Sequence, residues 1–362
     1  MAITALGKDF VGRTDPFRRE LLVHCYRMLG SIHDAEDLVQ ETMLRAWRAR
    51  EQFDARRASL RTWLYRIATN ACLSALKSRS RRPLPSGIGG PSDDPEQPLV
   101  PAPEVPWLQP FPDAMLPADR SDPAAVLVSR GSLRLAFVAA MQLLPARQRA
   151  ILILRDVLDL SAAEVAEMLD TTSAAVNSAL QRARARLGET AVCEDQIDEP
   201  PDASRRALVD RYMAAFENTD VTALKRLLTE DAVLEMPPVP AWFRGREDFG
   251  RFLAHLFTFR GSDWRTVPTA ANGQPAFAAY ARGQDGAYHV HTLQVFTVTG
   301  AGISRNVVFQ DSRLFAAFGL LPRLEAAPGG APAGRTRYAG LPRNRVGRSS
   351  TSQKTPSTHS GE

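Results

Sequence analysis

Three arginines stand at alternate positions in one alanine-rich stretch, TTSAAVNSALQRARARLG, which spans residues 171–188. Alternation would place Arg182, Arg184 and Arg186 on one face of a strand, but the Ala, Leu, Gln and Arg content favours a helix. On a helical wheel, Arg184 and Arg186 fall on opposite flanks of an apolar stripe through Val176. The alternation therefore predicts a helix with two cationic sides, which suits a position between two phosphate backbones.

The face opposite this apolar stripe carries short polar side chains that can touch base edges in a major groove. Those predicted to read or flank the bases are Ala174, Asn177, Ser178, Gln181 and Arg182, with Arg184 and Arg186 as phosphate contacts. Ser161 and Glu164 have capping-box spacing at the start of a preceding helix, and Asp170 falls in the turn between the two. The sequence thus predicts a helix-turn-helix, with a merely solvated arginine-rich helix as the alternative.

A second group suited to nucleic acid lies in SLRTWLYRIATNACLSALKSRSRR, residues 59–82. One helical face is apolar, and the other mixes aromatic rings with cations. Rings that stack on unpaired bases and cations that follow phosphates suit single-stranded DNA. The residues of this face are Arg61, Trp63, Tyr65, Arg66 and Asn70. Burial of Trp63 and Tyr65 in the core is the alternative.

The helix before it, SIHDAEDLVQETMLRAWRAR, is predicted to begin near Ile32, because Ser31 and Asp34 have the spacing of a cap. Its buried stripe leaves a charged face free for a partner. The candidates on that face are Asp37, Gln40, Glu41 and Leu44. Plain solvation of the face is the alternative.

Composition divides the 362 residues into five segments. They are the helical, arginine-rich block 15–82, the acidic proline-rich linker 83–121, a second helical block 122–190, a block of helices and alternating strands at 203–322, and a basic tail at 326–362. The predicted fold is multidomain, with two all-α domains and a C-terminal α+β domain. The linker also carries Trp107, Leu108 and Phe111, so docking of this WLQPF segment and a plain spacer both remain open.

The net charge of +5 belongs entirely to the tail, which holds six Lys or Arg residues and one acid. The neutral remainder must therefore bind DNA through local patterning. The tail is predicted to be disordered, either as a solubilising end or as a nucleic-acid arm. The absence of an apolar run of about 18 residues and of a signal peptide indicates a cytoplasmic protein without a membrane partner.

The three cysteines, Cys25, Cys72 and Cys193, are far apart and suggest neither a disulfide framework nor a zinc site. In the last domain, Asn272 and Gly273 mark a hairpin, and AYHVHTLQVFTVTG alternates as a strand. His289 and His291 would share one face of that strand, but no third metal ligand is evident. The sequence therefore predicts no metal and no cofactor.

Three ordered motifs carry a family resemblance: DAEDLVQETMLRAWR, RTWLYRIATNACLSALKSRSRR and LPARQRAILILRDVLDLSAAEVAEMLDTTSAAVNSALQRARARL. They resemble regions 2 and 4 of the sigma-70 family, extracytoplasmic-function group IV, and the acidic linker with an added C-terminal domain resembles its SigG type. The resemblance implies that the surface of Asp37, Gln40, Glu41 and Leu44 binds the β′ coiled coil of core RNA polymerase, and that region 4 meets the β flap.

The same resemblance implies how promoter DNA is bound. Loop 51–59, with Phe53 and Asp54, and the helix after it would open the minus-10 element, while residues 173–186, beginning at Ser173, would read the minus-35 element. The linker would thread the polymerase active-site channel. The polymerase performs the chemistry in this family, so no catalytic residue is expected here.

The C-terminal block resembles the SnoaL-like branch of the NTF2-like fold, whose curved sheet encloses a pocket. The residues expected to line a small-molecule pocket are Tyr212, Trp242, Tyr280, His289 and His291. This domain is expected to regulate the factor. The alternative function is a SnoaL-like isomerase or cyclase with a DNA-binding module, using Asp231 or Asp311 as a base.

Overall fold

The computed structural model describes residues 10–78, 81–117, 131–190 and 200–325. The predictions for Cys193, for the tail 326–362 and for residues 118–130 of the linker and second helical block lie outside these ranges. Within them, none of the helices combines the length and apolar character that crossing a membrane requires.

Three helices form the first helical body: α1 at Arg18–Leu29, α2 at Ile32–Arg48 and α3 at Leu60–Ala75. Helix α2 begins at the predicted residue, and the Ser31 side chain accepts a hydrogen bond from the Asp34 amide. Helix α1 ends at Gly30, whose φ is 68°. A Cβ atom at Gly30 would lie 2.8 Å from Leu108 Cδ1, so only glycine lets the linker pass this close.

The second helical body contains α4 at Leu135–Gln142, α5 at Ala146–Leu152, α6 at Ala162–Met168 and α7 at Ser173–Thr190. A π-helical turn at Ile153–Val157 follows α5. The capping box of Ser161 and Glu164 is present, and Asp170 has a φ of 51° in the turn before α7. Both features confirm the predicted helix-turn-helix geometry.

The C-terminal domain combines helices with one seven-stranded sheet. Its helices are α8 at Asp202–Glu217, α9 at Val221–Leu227, α10 at Arg246–Arg260 and α11 at Ser312–Ala317. Its strands are β1 at Leu228–Met236, β2 at Val239–Arg244, β3 at Trp264–Ala271, β4 at Gln274–Arg282, β5 at Tyr288–Thr299, β6 at Gly302–Phe309 and β7 at Arg323–Leu324. The order is β2-β1-β6-β5-β4-β3, with β7 beside β5 and only β1 and β6 parallel.

The two faces of this sheet belong to different cores. The inner face packs beneath α8, α9 and α10, and the core between them includes Tyr212 of α8, Phe252 of α10 and Phe296 of β5. The outer face contributes Val295 and Phe309 to a cluster that continues through both helical bodies. The multidomain fold with a C-terminal α+β domain is confirmed, and its domains share a hydrophobic core.

Candidate functional sites

Helix α7 presents the predicted DNA-reading face to solvent. Val176, Ala179, Leu180 and Ala183 are buried and pack α7 onto the helical body. The exposed residues include all those predicted to contact DNA: Ser173, Ala174, Asn177, Ser178, Gln181, Arg182, Arg184 and Arg186. The apolar stripe is confirmed, and the exposed face is accessible to a double helix.

One of the three arginines is held by a carboxylate of the same body. Arg184 Nε donates to Asp156 Oδ2 at 2.9 Å, and Arg184 Nη2 donates to Asp156 Oδ1 at 2.7 Å. These two hydrogen bonds raise the pKa of Arg184 above its usual value. A DNA phosphate must therefore compete with Asp156 for this guanidinium.

Helix α2 exposes the predicted polymerase-binding surface. Asp37, Gln40 and Leu44 face solvent, and Leu44 is 52% exposed. Glu41 is half-buried and accepts a hydrogen bond from Arg45 Nε at 2.7 Å. A large exposed apolar side chain among charged ones offers apolar surface whose burial against a partner would stabilise the complex.

The predicted minus-10 surface contains an aromatic pair at the junction of a loop and α3. The ring centroids of Phe53 and Trp63 lie 5.2 Å apart at 45°, and both rings are half-buried. Arg66 and Asn70 are exposed on α3, and Asp54 accepts hydrogen bonds within its own loop. The pair is open enough to contact an unstacked base.

Tyr65 corrects part of that prediction. Its ring is only 3% exposed, because it packs in the core of the first helical body. Its hydroxyl donates to Glu20 Oε2 at 3.2 Å, and Arg61 Nε donates to the same oxygen at 2.7 Å. The Arg61 guanidinium also lies 4.9 Å from the Tyr65 ring centre. Tyr65 therefore positions Arg61 and has no ring face available for a base.

The apolar segment of the linker docks on the first helical body. Leu108 and Phe111 are fully buried. Gln109 Oε1 accepts a hydrogen bond from Ser31 Oγ at 2.7 Å, and the Gln109 carbonyl accepts one from Tyr26 Oη at 2.7 Å. The WLQPF segment is therefore a docking element, and the plain-spacer alternative is excluded for it.

An earlier part of the linker lies along the C-terminal domain. The Ser92 amide donates to the Trp242 carbonyl at 2.7 Å, and Trp242 Nε1 donates to the Gly89 carbonyl at 2.9 Å. The Ala102 amide donates to the Pro238 carbonyl at 2.8 Å. Backbone bonds of this kind are independent of side-chain type, which explains why the sequence did not predict them.

The hairpin between β3 and β4 inserts one fully buried residue between the domains. Asn272 Nδ2 donates to Tyr26 Oη at 2.8 Å and to the Leu133 carbonyl at 2.6 Å. Asn272 Oδ1 accepts from the Phe111 amide at 2.7 Å, and the Asn272 amide donates to the Phe111 carbonyl at 2.9 Å. One side chain thus joins α1, the linker and the segment before α4 to the C-terminal domain.

Arg149 brings the two helical bodies into direct contact. It is 3% exposed and donates to the carbonyl oxygens of Met28, Gln142 and Leu144 and to Gln142 Oε1. Burial lowers the pKa of Arg149 to about 10, so the guanidinium is still charged at neutral pH. A buried cation solvated by carbonyl oxygens fixes one geometry between α5 and α1.

The C-terminal domain encloses a cavity of about 420 Å³. Of the five residues expected to line the pocket, His291 does so. The other four do not line this cavity, and that part of the prediction is wrong. Tyr212 is buried in the inner core, and Trp242 is hydrogen-bonded to the linker. Tyr280 donates to the Leu321 carbonyl at 2.9 Å, and His289 is exposed, with its Nε2 3.0 Å from Asp285 Oδ1.

A β-bulge explains why the two histidines part. The register between β4 and β5 pairs Ala279 with Thr292 and Tyr280 with Val290, which leaves His291 as the extra residue. A bulge inserts one extra residue, so that its side chain no longer shares a face with the residue two positions away. His291 therefore faces the cavity, its ring centroid 5.4 Å from that of Trp264, while His289 reaches solvent. No cluster of three or more His, Cys, Asp or Glu fit to hold a metal occurs in the described ranges.

Comparison with known proteins assigns all three domains. Residues 15–82 match Sigma-70 region 2, residues 134–187 match Sigma-70, region 4, and residues 209–306 match the SnoaL-like domain. The ECF RNA polymerase sigma factor SigG of Mycobacterium tuberculosis is 49% identical over 317 residues, which cover 86% of this chain and 84% of the relative. The chain belongs to the ECF family of RNA polymerase sigma factors.

The ECF sigma factor SigJ of Mycobacterium tuberculosis is 29% identical over 253 residues, covering 68% of this chain and 72% of SigJ. The crystal structure of SigJ matches with a TM-score of 0.58 at 23% identity, over 86% of this chain and 100% of that one. The structural match shows that the two sigma factors share this fold.

Membership of the ECF family confirms the function predicted from the sequence. Sigma factors bind core RNA polymerase and promoter DNA and start transcription. The isomerase alternative is not favoured. Neither Asp231 nor Asp311 lines the cavity. Asp231 accepts a hydrogen bond from Thr229, and Asp311 caps α11. The cavity thus contains neither of the two carboxylates named as the base in the alternative.

Proposed function

We infer that this ECF sigma factor is seen in a closed state, which its own C-terminal domain holds and which must open on core polymerase. The promoter elements are named for positions about 25 base pairs apart, which corresponds to about 85 Å of duplex at 3.4 Å a step. In the structure the two helical bodies touch through Arg149 and Met28. Such a contact is incompatible with reading both elements at once.

In the open state, α2 binds the β′ coiled coil through Asp37, Gln40, Glu41 and Leu44, and the second helical body meets the β flap. The Phe53 and Trp63 pair, with Arg61, Arg66, Asn70 and Asp54, opens the minus-10 element and holds an extruded base. Extruding a base costs a few kcal/mol, which ring stacking offsets. The exposed face of α7 reads the minus-35 element. The polymerase supplies all catalytic groups.

The released linker then enters the polymerase channel. In the closed state this is impossible, because Leu108 and Phe111 are buried and Gln109 is bonded to α1 and α2. The observation that carries the proposal is the Asn272 side chain, which contacts α1, the linker and the segment before α4. Loss of this one side chain should loosen all three together.

The test is run-off transcription with core polymerase at limiting sigma concentration. Asn272→Ala should give several times more promoter-specific transcript than the wild type. Asn218→Ala is the control, since Asn218 is exposed and bonds only to the Ala214 carbonyl one turn away in its own helix. Equal transcript from Asn272→Ala and Asn218→Ala, with both proteins folded, would show that the C-terminal domain does not restrain the factor.

A further inference from the structure

The cavity in the C-terminal domain is completed by the linker. The inner face of the sheet and helices α8 and α10 form most of its wall. The remaining wall comes from linker residues Gln97, Pro98, Leu99 and Pro101. This segment is held by the bond from the Ala102 amide to the Pro238 carbonyl and by Glu96, which lies 3.6 Å from Arg251. The full cavity therefore exists only while the linker is docked.

The cavity wall is mainly apolar, with one inner cluster of polar side chains on the sheet and further polar groups at Gln97, His255, Arg260 and Gln310. Leu234, Met236 and Phe252 are examples of the apolar wall. A volume of about 420 Å³ falls within the range of roughly 300–1,000 Å³ that is common for small-molecule sites. The polar cluster lies on β5 and β6 and includes Gln294 and Asn306.

Two atoms of this cluster have unused hydrogen-bonding capacity within the described structure. Asn306 is 1% exposed, its Nδ2 donates to Gln294 Oε1 at 2.8 Å, and its side chain also meets the buried Tyr212 hydroxyl. An amide oxygen has two lone pairs, so Oδ1 can accept from Tyr212 and from one further donor. His291 Nδ1 is buried and has no partner in the described structure. A ligand group that bonds to these buried atoms gains affinity, because water does not reach them.

The polar cluster is uncharged. No Asp or Glu lines the cavity. Burial, and the nearby charge of Arg260, lower the pKa of His291 to about 4, so its ring is neutral near pH 7. Arg260 also lines the cavity, from the exposed outer end of α10 beside Phe259. A cation in the interior would find no opposite charge, and an anion would lose its hydration while meeting only this solvent-exposed guanidinium.

We propose that this cavity binds an uncharged, mainly apolar small molecule bearing a hydroxyl group, and that the docked linker is part of the binding site. The hydroxyl donates to Asn306 Oδ1 and accepts from the Nδ1–H tautomer of the neutral His291 ring, and the apolar body contacts Leu99 and the inner core. A ligand stabilises the state that binds it best. Because the linker wall exists only in the closed state, an occupied cavity holds the sigma factor closed and lowers transcription. This last step rests on the proposed function, whereas binding itself does not.

Fluorescence titration of the full-length chain with three related dyes tests the site. The dyes are 1-hydroxypyrene, pyrene and pyrene-1-carboxylate, which differ only in the polar group. The wild type should bind 1-hydroxypyrene about tenfold more tightly than pyrene, corresponding to about 1.4 kcal/mol, and the carboxylate least tightly. Asn306→Leu, which keeps the volume near constant, should abolish the preference for the hydroxyl while pyrene still binds.

Two linker variants test the wall. Leu99→Ser should weaken all three dyes several-fold, whereas Val100→Ser should not, because Val100 is 70% exposed and does not line the cavity. Equal binding of 1-hydroxypyrene and pyrene, or tightest binding of the carboxylate, would overturn the assignment of the ligand class. Equal affinities in Leu99→Ser and Val100→Ser would overturn the role of the linker.

Transcription completes the test. Saturating 1-hydroxypyrene should reduce run-off transcript from the wild type and have less effect on Leu99→Ser. Binding with unchanged transcript would reject the coupling and leave the site intact. Because the titration contains no polymerase, a failure of the closed-state proposal cannot be confused with a failure of the binding site.

Discussion

Asn272 Nδ2 lies 2.8 Å from Tyr26 Oη, and this hydrogen bond joins residues 246 positions apart in the chain. The same hydroxyl donates to the Gln109 carbonyl, so α1, the linker and the C-terminal hairpin share one buried oxygen. Burial raises the pKa of Tyr26, which keeps the hydroxyl protonated and able to donate. The contact of the C-terminal hairpin with α1 and the linker is therefore held by a polar cluster inside an apolar core.

A double-mutant cycle on this pair should show strong coupling. Tyr26→Phe removes the shared oxygen and leaves the Gln109 carbonyl without its donor, which should lower the free energy of unfolding by about 1–3 kcal/mol. Urea unfolding of Tyr26→Phe, Asn272→Ala and the double variant measures the interaction. A coupling energy of about 1 kcal/mol or more is expected for groups in contact, and additive effects would contradict it.

Asp156→Asn should increase the affinity for promoter DNA. The substitution removes the negative charge that holds Arg184, so the guanidinium becomes available to a phosphate. We expect a gain of a few-fold at low salt, measured by fluorescence anisotropy, with a steeper salt dependence by up to about one unit of slope. An affinity unchanged at all salt concentrations would show that Arg184 does not reach the backbone.

Gln181→Ala and Arg182→Ala should change DNA binding in different ways. Loss of a base contact by Gln181→Ala should cost about 1–3 kcal/mol on the cognate element and relax the preference at one base position. Loss of Arg182 should weaken all sequences more evenly. Binding to a library of minus-35 variants separates the two, and identical profiles would contradict the assignment of the reading face.

Leu44→Asp should impair the binding of core polymerase without unfolding the protein. Leu44 is 52% exposed on α2, so a charge there costs little in the free chain and much at an apolar contact. Leu321→Asp is the matched control, since Leu321 is 57% exposed on the C-terminal domain. Pull-down of core polymerase should fail for the first variant only. Equal retention would remove α2 from the polymerase interface.

Acid should destabilise the folded protein through His24. Burial, and then the charge of Arg27, lower the pKa of His24 from 6.5 to about 3, and Nε2 is bonded to Thr69. Below pH 6.5 the unfolded chain takes up a proton that the folded chain refuses, so this stabilisation is lost as the pH falls from 6.5 towards 3. At pH 5 the loss is about 2 kcal/mol.

His24→Gln keeps a donor for Thr69 and cannot titrate in this range. Its unfolding free energy should therefore fall less than that of the wild type between pH 7 and pH 5. Parallel pH profiles for the two proteins would show that His24 is not held neutral by the fold.

The sequence predicted those features that depend on local periodicity. The stripe through Val176 and Leu180, the cap at Ser31 and the turn at Asn272 follow from rules that span a few residues. The three domains followed from composition and ordered motifs. The predicted surfaces on α2 and α7 are exposed because a stripe at helical spacing must face the core and leave the other side outside.

The sequence could not predict contacts that depend on three-dimensional packing. The sequence identifies Asn272 only as a turn residue, because its partners at positions 26, 111 and 133 are remote in the chain. The sequence offers Tyr65 as a stacking ring, whereas in the structure its hydroxyl is bonded to Glu20. Strand alternation places His289 and His291 on one face, because a bulge of one residue leaves no trace in the alternation of polar and apolar residues.

The outer face of the sheet has a consequence for competition between sigma factors. Val295, Phe309 and their neighbours are covered by the helical bodies, so opening the molecule uncovers them. The apparent affinity for polymerase falls in proportion to the fraction of molecules already open. In the proposed closed state, the cellular concentration at which this factor begins to capture polymerase then depends on the outer face of the sheet as well as on α2. A substitution beneath the helical bodies can therefore change polymerase capture without altering α2.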